Sequence, residues 1–156
     1  MTMAFRFVTA ALLTGQMCLL SPALAATHLL DDSASHVMPP NVQMAWHSPA
    51  PGRAADHDVE TRVTVNVRID TRAWVGRIGR IYMVLPQDSG PPMMAQWQTQ
   101  GRLLPGRLVS GERGLVYSGL ITQATLDDQI QVHLRTDGRW TSNSRRLNFH
   151  FELDTD

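Results

Sequence analysis

The segment VETRVTVNVRID, residues 59–70, has the most regular alternation of apolar and polar side chains in this chain. Its apolar positions carry five β-branched aliphatic residues: Val59, Val63, Val65, Val67 and Ile69. Successive side chains of a β-strand point to opposite faces of its sheet, so the segment predicts a strand with one buried and one solvated face. Because the strands of parallel sheets are apolar on both faces, the pattern favours an antiparallel sheet.

Six further segments have strand-like patterns. Their ranges are 78–85, 93–99, 103–109, 115–121, 129–135 and 147–153. Clusters of Gly, Pro, Asp and Ser separate several of them, as tight turns require. Seven short strands over residues 59–156 predict an all-β fold, a single antiparallel β-sandwich of immunoglobulin-like size. A small β-barrel is the alternative, because its strands alternate in the same way.

The positions of several side chains within this fold can also be predicted. Trp97 fits the buried tryptophan that such sandwiches often contain. His133 and His150 fall on outward positions of the last two strands and could face each other as a cross-strand pair. Asp127 and Asp128 are neighbours, so on a strand they would point to opposite faces, whereas in a turn they would bind backbone groups.

The first 25 residues have the three-part organisation of a secretory signal peptide. Arg6 precedes an apolar stretch over residues 7–20, and the small residues Ala23 and Ala25 precede the predicted cleavage point. We therefore expect export to the periplasm or the extracellular space. The single cysteine, Cys18, lies within this segment, so the mature chain would contain no disulfide. No other apolar run is long enough for a transmembrane helix, and we predict no transmembrane segment in the mature chain.

Residues 26–58 are expected to form a flexible arm that precedes a β-sandwich domain of residues 59–156. Four prolines interrupt this arm: Pro39, Pro40, Pro49 and Pro51. Proline has no backbone N–H to donate, so the arm should pair poorly with neighbouring strands. Residues 41–47 differ, because apolar side chains alternate there with small or polar ones. This piece is either an edge strand docked on the domain or a short motif for a partner.

Composition and motif content argue against several functional classes. The chain has 14 basic residues, all of them arginine, and 14 acidic residues. This balance gives no support for nucleic-acid binding, and none is predicted. The sequence contains no nucleophile elbow, metal motif or phosphate-binding loop, so we predict a protein that is not an enzyme and uses no cofactor. The six histidines are widely spaced, and we predict no metal site.

The best candidate for a binding site is the loop that joins the last two strands. It contains Trp140 together with Arg139, Arg145 and Arg146. Tryptophan is a frequent anchor of interfaces, and arginines beside it can hold anionic groups while the ring stacks on a sugar, a base or a peptide. The alternative is that Trp140 caps the end of the sandwich and the arginines are solvated. Trp74, which also has arginines close to it in sequence, is a weaker candidate of the same kind.

These features favour a non-enzymatic function. The leading hypothesis is an exported β-sandwich that binds a secreted protein or another component of the cell envelope, as an accessory or assembly factor. An alternative is the binding of an anionic glycan or a small ligand through Trp140 and the neighbouring arginines. A third hypothesis is a hydrolase whose catalytic site the sequence does not reveal.

Overall fold

The computed structural model describes residues 26–40, 43–46, 58–87, 89–140 and 147–155. Within these ranges the chain forms ten β-strands and two short 3-10 turns, with no α-helix. The paired strands run antiparallel and form two separate sheets. The β-sandwich predicted from the alternating segments is therefore confirmed. The described residues contain no helix with the length and apolarity that crossing a membrane would require.

The first sheet has four strands, whose order is β1 (Ala26–Leu29), β10 (His150–Thr155), β5 (Ile78–Val84) and β8 (Arg113–Leu120). The second sheet is five strands wide. Its order is β2 (His36–Met38), β4 (Asp58–Asp70), β9 (Thr125–Asp137), β6 (Met93–Thr99) and β7 (Gly106–Val109). The short strand β3 (Ala45–Trp46) pairs with another part of β4, near its beginning.

The apolar faces of the two sheets enclose one core. The long strands β4 and β9 lie side by side and place Val65 directly opposite Ile130, both with almost no solvent exposure. The four-stranded sheet contributes Phe151 and Leu153, which are completely buried. Trp97 is 2% exposed, and its indole N–H donates to the carbonyl oxygen of Leu104 at 2.8 Å. The buried face predicted for residues 59–70 and the burial of Trp97 are thus confirmed.

Strand β9 begins earlier than the sequence indicated and includes both neighbouring aspartates. Asp127 lies on the outer face of the sheet, where it forms an ion pair with Arg68 at 2.9 Å. Asp128 takes the opposite orientation, and its carboxylate accepts the backbone N–H of Leu103 at 2.8 Å. The two aspartates therefore point to opposite faces, as predicted for a strand. Asp128 also binds a backbone group, which was the prediction for a turn.

The start of the predicted flexible arm belongs to the sandwich. Strand β1 pairs with β10, and β2 pairs with β4, so residues 26–38 add an edge strand to each sheet. Between the two strands, Leu30 is buried and its backbone N–H donates to the carbonyl oxygen of Phe151 at 2.9 Å. Strands β1 and β2 are only four and three residues long, which is why they lack the long alternating pattern of β4. The domain boundary expected at Val59 consequently lies too late in the chain.

The remaining part of the arm is described only in places. In strand β3, Ala45 pairs with Glu60 and Trp46 pairs with Val59. This pairing agrees with the interpretation of residues 41–47 as an edge strand docked on the domain. Residues 41–42 and 47–57 lie outside the described residues. The expected flexibility of residues 47–57 therefore stays a prediction.

Candidate functional site

The loop predicted as a binding site is only partly described. Arg139 lies in the 3-10 turn that follows β9, Gly138–Trp140, and its guanidinium binds the carboxylate of Asp137 with an Nε–Oδ1 distance of 3.1 Å. This hydrogen bond and the negative charge of Asp137 raise the pKa of Arg139 above its ordinary value. The side chain of Trp140, together with Arg145 and Arg146, lies outside the described residues. The binding role of this loop stays a prediction.

Trp74, the weaker tryptophan candidate, is already in contact with side chains of its own domain. The ring of His28 lies 4.4 Å from the Trp74 ring, centroid to centroid, and the guanidinium of Arg77 lies over it at 5.6 Å. The tryptophan is partly buried against the core. Its ring therefore helps to join β1 to the turn before β5, which favours a structural role.

The two strand histidines do not meet. His133 lies on β9 in the five-stranded sheet and His150 on β10 in the four-stranded sheet, so the predicted cross-strand pair is wrong. Strands that follow each other in sequence normally pair, but in a sandwich the chain can change sheets between them. Each histidine instead has a carboxylate neighbour, with 2.9 Å from His133 Nε2 to Glu60 and 3.4 Å from His150 Nε2 to Glu152.

Among the described residues, no three His, Cys, Asp or Glu side chains come together so as to hold a metal ion. Two of the six histidines, His47 and His57, lie outside the described residues.

A concave surface lies on the outer face of the five-stranded sheet. This polar groove has a volume of about 550 Å³. Met38 and Pro39 form its margin beside β2. Its floor is formed by side chains from β4, β9 and β6: Arg62, Thr64, Gln96, Gln98, Gln131 and His133.

The strand register arranges the floor of the polar groove in two rows. In the first row, His133 lies between Arg62 on one side and Gln96 on the other. In the second row, Gln131 lies between Thr64 and Gln98. Directly opposite residues in antiparallel strands have Cβ atoms about 5 Å apart, so neighbouring side chains in each row can contact the same ligand.

Several polar side chains in and beside the groove are paired with each other. His133 binds Glu60, and Asn66 accepts a hydrogen bond from Gln129 at 3.0 Å. Arg68 binds Asp127. Five side chains of the groove floor have no hydrogen bond or ion pair with any part of the chain that the structure describes: Arg62, Thr64, Gln96, Gln98 and Gln131.

A second, smaller depression adjoins the polar groove on the same face. Its volume is about 330 Å³, and its lining includes His36, Asn66, Arg68 and Asp127. These side chains are engaged with one another, since Asn66 contacts His36 at 3.1 Å and Arg68 binds Asp127. The depression therefore offers fewer free hydrogen-bonding groups than the polar groove.

The sequence analysis did not find the polar groove. Its members occupy outward positions of three predicted strands, so their exposure could have been inferred from the alternation. Which strands are neighbours could not, because β4, β9 and β6 are far apart in sequence and no local pattern sets their order. No family model matches the chain, and neither does any curated protein or solved structure.

Proposed function

We propose that this chain is an exported, non-enzymatic β-sandwich that binds a component of the cell envelope, with the polar groove as its binding surface. The proposal joins the predicted signal peptide to the larger of the two concave surfaces described on the five-stranded sheet. It gives the protein an accessory role in the periplasm or outside the cell.

The unpaired side chains of the groove floor carry this proposal. Arg62, Gln98 and Gln131 are exposed on a face whose other polar groups are mostly joined in pairs. A guanidinium and several amides held next to each other by a rigid sheet are organised for hydrogen bonding before any ligand arrives. Such an arrangement lowers the conformational cost of binding, because the scaffold and the relative positions of the groups do not change.

Site-specific cross-linking tests the proposal in the native setting. A photo-reactive amino acid placed at Gln98 reports on the polar groove, and the same amino acid at Ser118 reports on the exposed part of β8 in the other sheet. After illumination of intact cells that export the protein, we expect cross-linked species from position 98 and none from position 118.

Equal cross-linking from both positions would contradict a specific role for the groove. Loss of the position 98 species in the Arg62→Gln variant, with export unchanged, would connect the binding to the groove floor. Recovery of the protein from the cytoplasm alone would contradict the export part of the proposal.

A further inference from the structure

We infer that the polar groove recognises a glycan that carries carboxylate groups. This inference rests on the proposed function, because it assigns a chemical class to the component that the groove binds. Arg62 supplies the contact to the carboxylate, and the amides of the groove floor supply the contacts to sugar hydroxyls.

The amides of the floor match the chemistry of a sugar ring. Gln98 lies directly opposite Gln131, and Gln96 lies directly opposite His133. Each glutamine amide both donates and accepts hydrogen bonds, and a hydroxyl group does the same. Adjacent amides about 5 Å apart at their Cβ atoms can therefore bind adjacent hydroxyls of one ring. A ligand without hydrogen-bonding groups would leave these donors and acceptors unused.

The charge of the groove favours an anionic ligand. Arg107 of β7 lies opposite Gln96, so it extends the row of Arg62, His133 and Gln96 across a fourth strand. Neighbouring strands are about 4.8 Å apart, which separates the Cα atoms of Arg62 and Arg107 by about 14 Å. Neither guanidinium has a hydrogen bond or ion pair with the described residues. The Glu60 carboxylate, at the preceding outward position of β4, is already bound by His133.

Two free guanidiniums at the ends of one row favour an extended ligand with repeated negative charges. A guanidinium can bind a carboxylate through two parallel hydrogen bonds, which gives geometric selectivity as well as affinity. A single small anion would reach only one of the two. A glycan chain with carboxylates on successive or alternating sugars can reach both while its hydroxyls contact the amides between them.

A protein partner fits the groove less well. Protein interfaces are usually centred on buried aromatic or aliphatic anchors, but the exposed side chains of the groove floor are polar. The apolar residues of the lining are Met38 and Pro39 at the margin, with Val63 and Val132, which are themselves buried in the sheet. An extended peptide could bind through its backbone only at a free sheet edge. Strands β9 and β6 are paired on both sides. Strand β4 is paired on its outer side with β2 from Thr64 and with β3 up to Glu60, so among the described residues only the three-residue stretch between them is unpaired, which is short for the addition of an extended peptide.

Calorimetric titration of the purified protein with three probes tests the inference. The probes are an oligogalacturonate, the same oligosaccharide with its carboxylates methyl-esterified, and poly-glutamate as an anionic peptide. We expect the oligogalacturonate to bind, and the ester and poly-glutamate to bind at least tenfold more weakly. Arg62→Gln should weaken binding of the acid form about tenfold and leave binding of the ester almost unchanged, since it removes a charged hydrogen bond.

Arg68→Gln is the matched control. Arg68 is on the same strand and the same face, but it lies outside the groove and binds Asp127. This variant should bind all three probes like the parent protein. Gln98→Ala combined with Gln131→Ala should weaken the acid and the ester alike, because both probes retain the hydroxyls. Thermal melting of each variant checks that the fold is intact.

Three results would overturn the inference: no binding of the oligogalacturonate, equal binding of the acid and the ester, or equal binding of poly-glutamate. None of them overturns the proposed function, which depends on the cross-linking at position 98. If the double glutamine variant fails to fold, the comparison of acid and ester on the unmodified protein still decides between the outcomes.

Discussion

Gly106 lies directly opposite Trp97 across β6 and β7, and the indole packs against the glycine backbone. A Cβ atom added at position 106 would lie 2.7 Å from Cζ2 of Trp97, closer than carbon atoms can approach without a shift. Gly114 of β8 contacts the same ring from the other sheet, where an added Cβ would lie 2.8 Å from Cη2. The largest buried side chain of the core therefore occupies its site because two glycines leave room for it.

Gly106→Ala is accordingly expected to destabilise the protein by about 1–3 kcal/mol, the usual range for overpacking of a close-packed core. The free energy of unfolding in urea measures the effect. Trp97→Phe destabilises by itself, but it removes the ring atoms that meet the new methyl group. The double variant should therefore lose less stability than the sum of the two single variants. Additive losses would show that the contact between positions 97 and 106 is not the cause.

Val65→Asp should destabilise the protein by several kcal/mol, whereas Asn66→Asp should have a small effect. Val65 is completely buried between the sheets, where a carboxylate would have no partner. Asn66 points to the outer face, within hydrogen-bonding distance of His36 and Gln129, and an aspartate there can keep accepting from Gln129. Urea unfolding of both variants checks the prediction, and equal losses would contradict the assigned faces of β4.

Stability should fall in acid partly through Asp154. Burial alone would raise the pKa of this carboxyl, but hydrogen bonds from Arg113 and Thr27, with the charges of Arg113 and Arg80, outweigh it and lower the pKa below 3.8. A group whose pKa is lowered by folding stabilises the fold above its unfolded pKa, and this stabilisation is lost as the pH falls through the folded pKa.

We expect Asp154→Asn to reduce stability at pH 7 and to make stability less dependent on pH below 3.8, the ordinary value for the carboxyl. Arg113 joins Asp154, 2.9 Å away, to the ring of Tyr82. Arg113→Ala should therefore show part of the same loss of pH dependence, because Thr27 and Arg80 continue to lower the pKa of Asp154. Urea unfolding over a pH series measures both. An unchanged pH profile in the two variants would rule out this carboxylate as a contributor.

The exported protein is expected to begin at or near Ala26. The small residues Ala23 and Ala25 predict the cleavage point. The intact mass of the exported protein decides the matter, and a mass that includes Cys18 would contradict the prediction. Because Cys18 is the only cysteine, the unfolding free energy of the exported protein should be the same with and without a reducing agent.

The loop after β9 can be tested separately from the polar groove. Asp137 already binds the guanidinium of Arg139, so Arg139→Ala should weaken binding to envelope material less than Arg145→Ala combined with Arg146→Ala. If the loop carries binding, Trp140→Ala should weaken binding while changing the melting temperature little. A large drop in melting temperature for Trp140→Ala alone would show that the ring caps the core.

The predictions made from sequence were most accurate for long strands with regular alternation of apolar and polar residues. The alternation from Val59 to Ile69 identified both the strand and its buried face, and the burial of Trp97 followed from the fold class. Weaker segments were predicted with less accurate ends. The edge strands β1 and β2 were missed, since strands of four and three residues are too short to show a clear alternation.

Period-two alternation is a local property, so the sequence by itself determined the all-β class, the antiparallel character of the sheets and which side chains of the long strands face the core. The order of the strands depends on contacts between distant segments, and only the tertiary structure decided it. That order separates His133 from His150 and brings Arg62, Gln131 and Gln98 together in the polar groove. The alternation pattern shows that a polar residue faces outward but does not depend on which strand lies beside it. The groove could therefore be identified only from the tertiary structure.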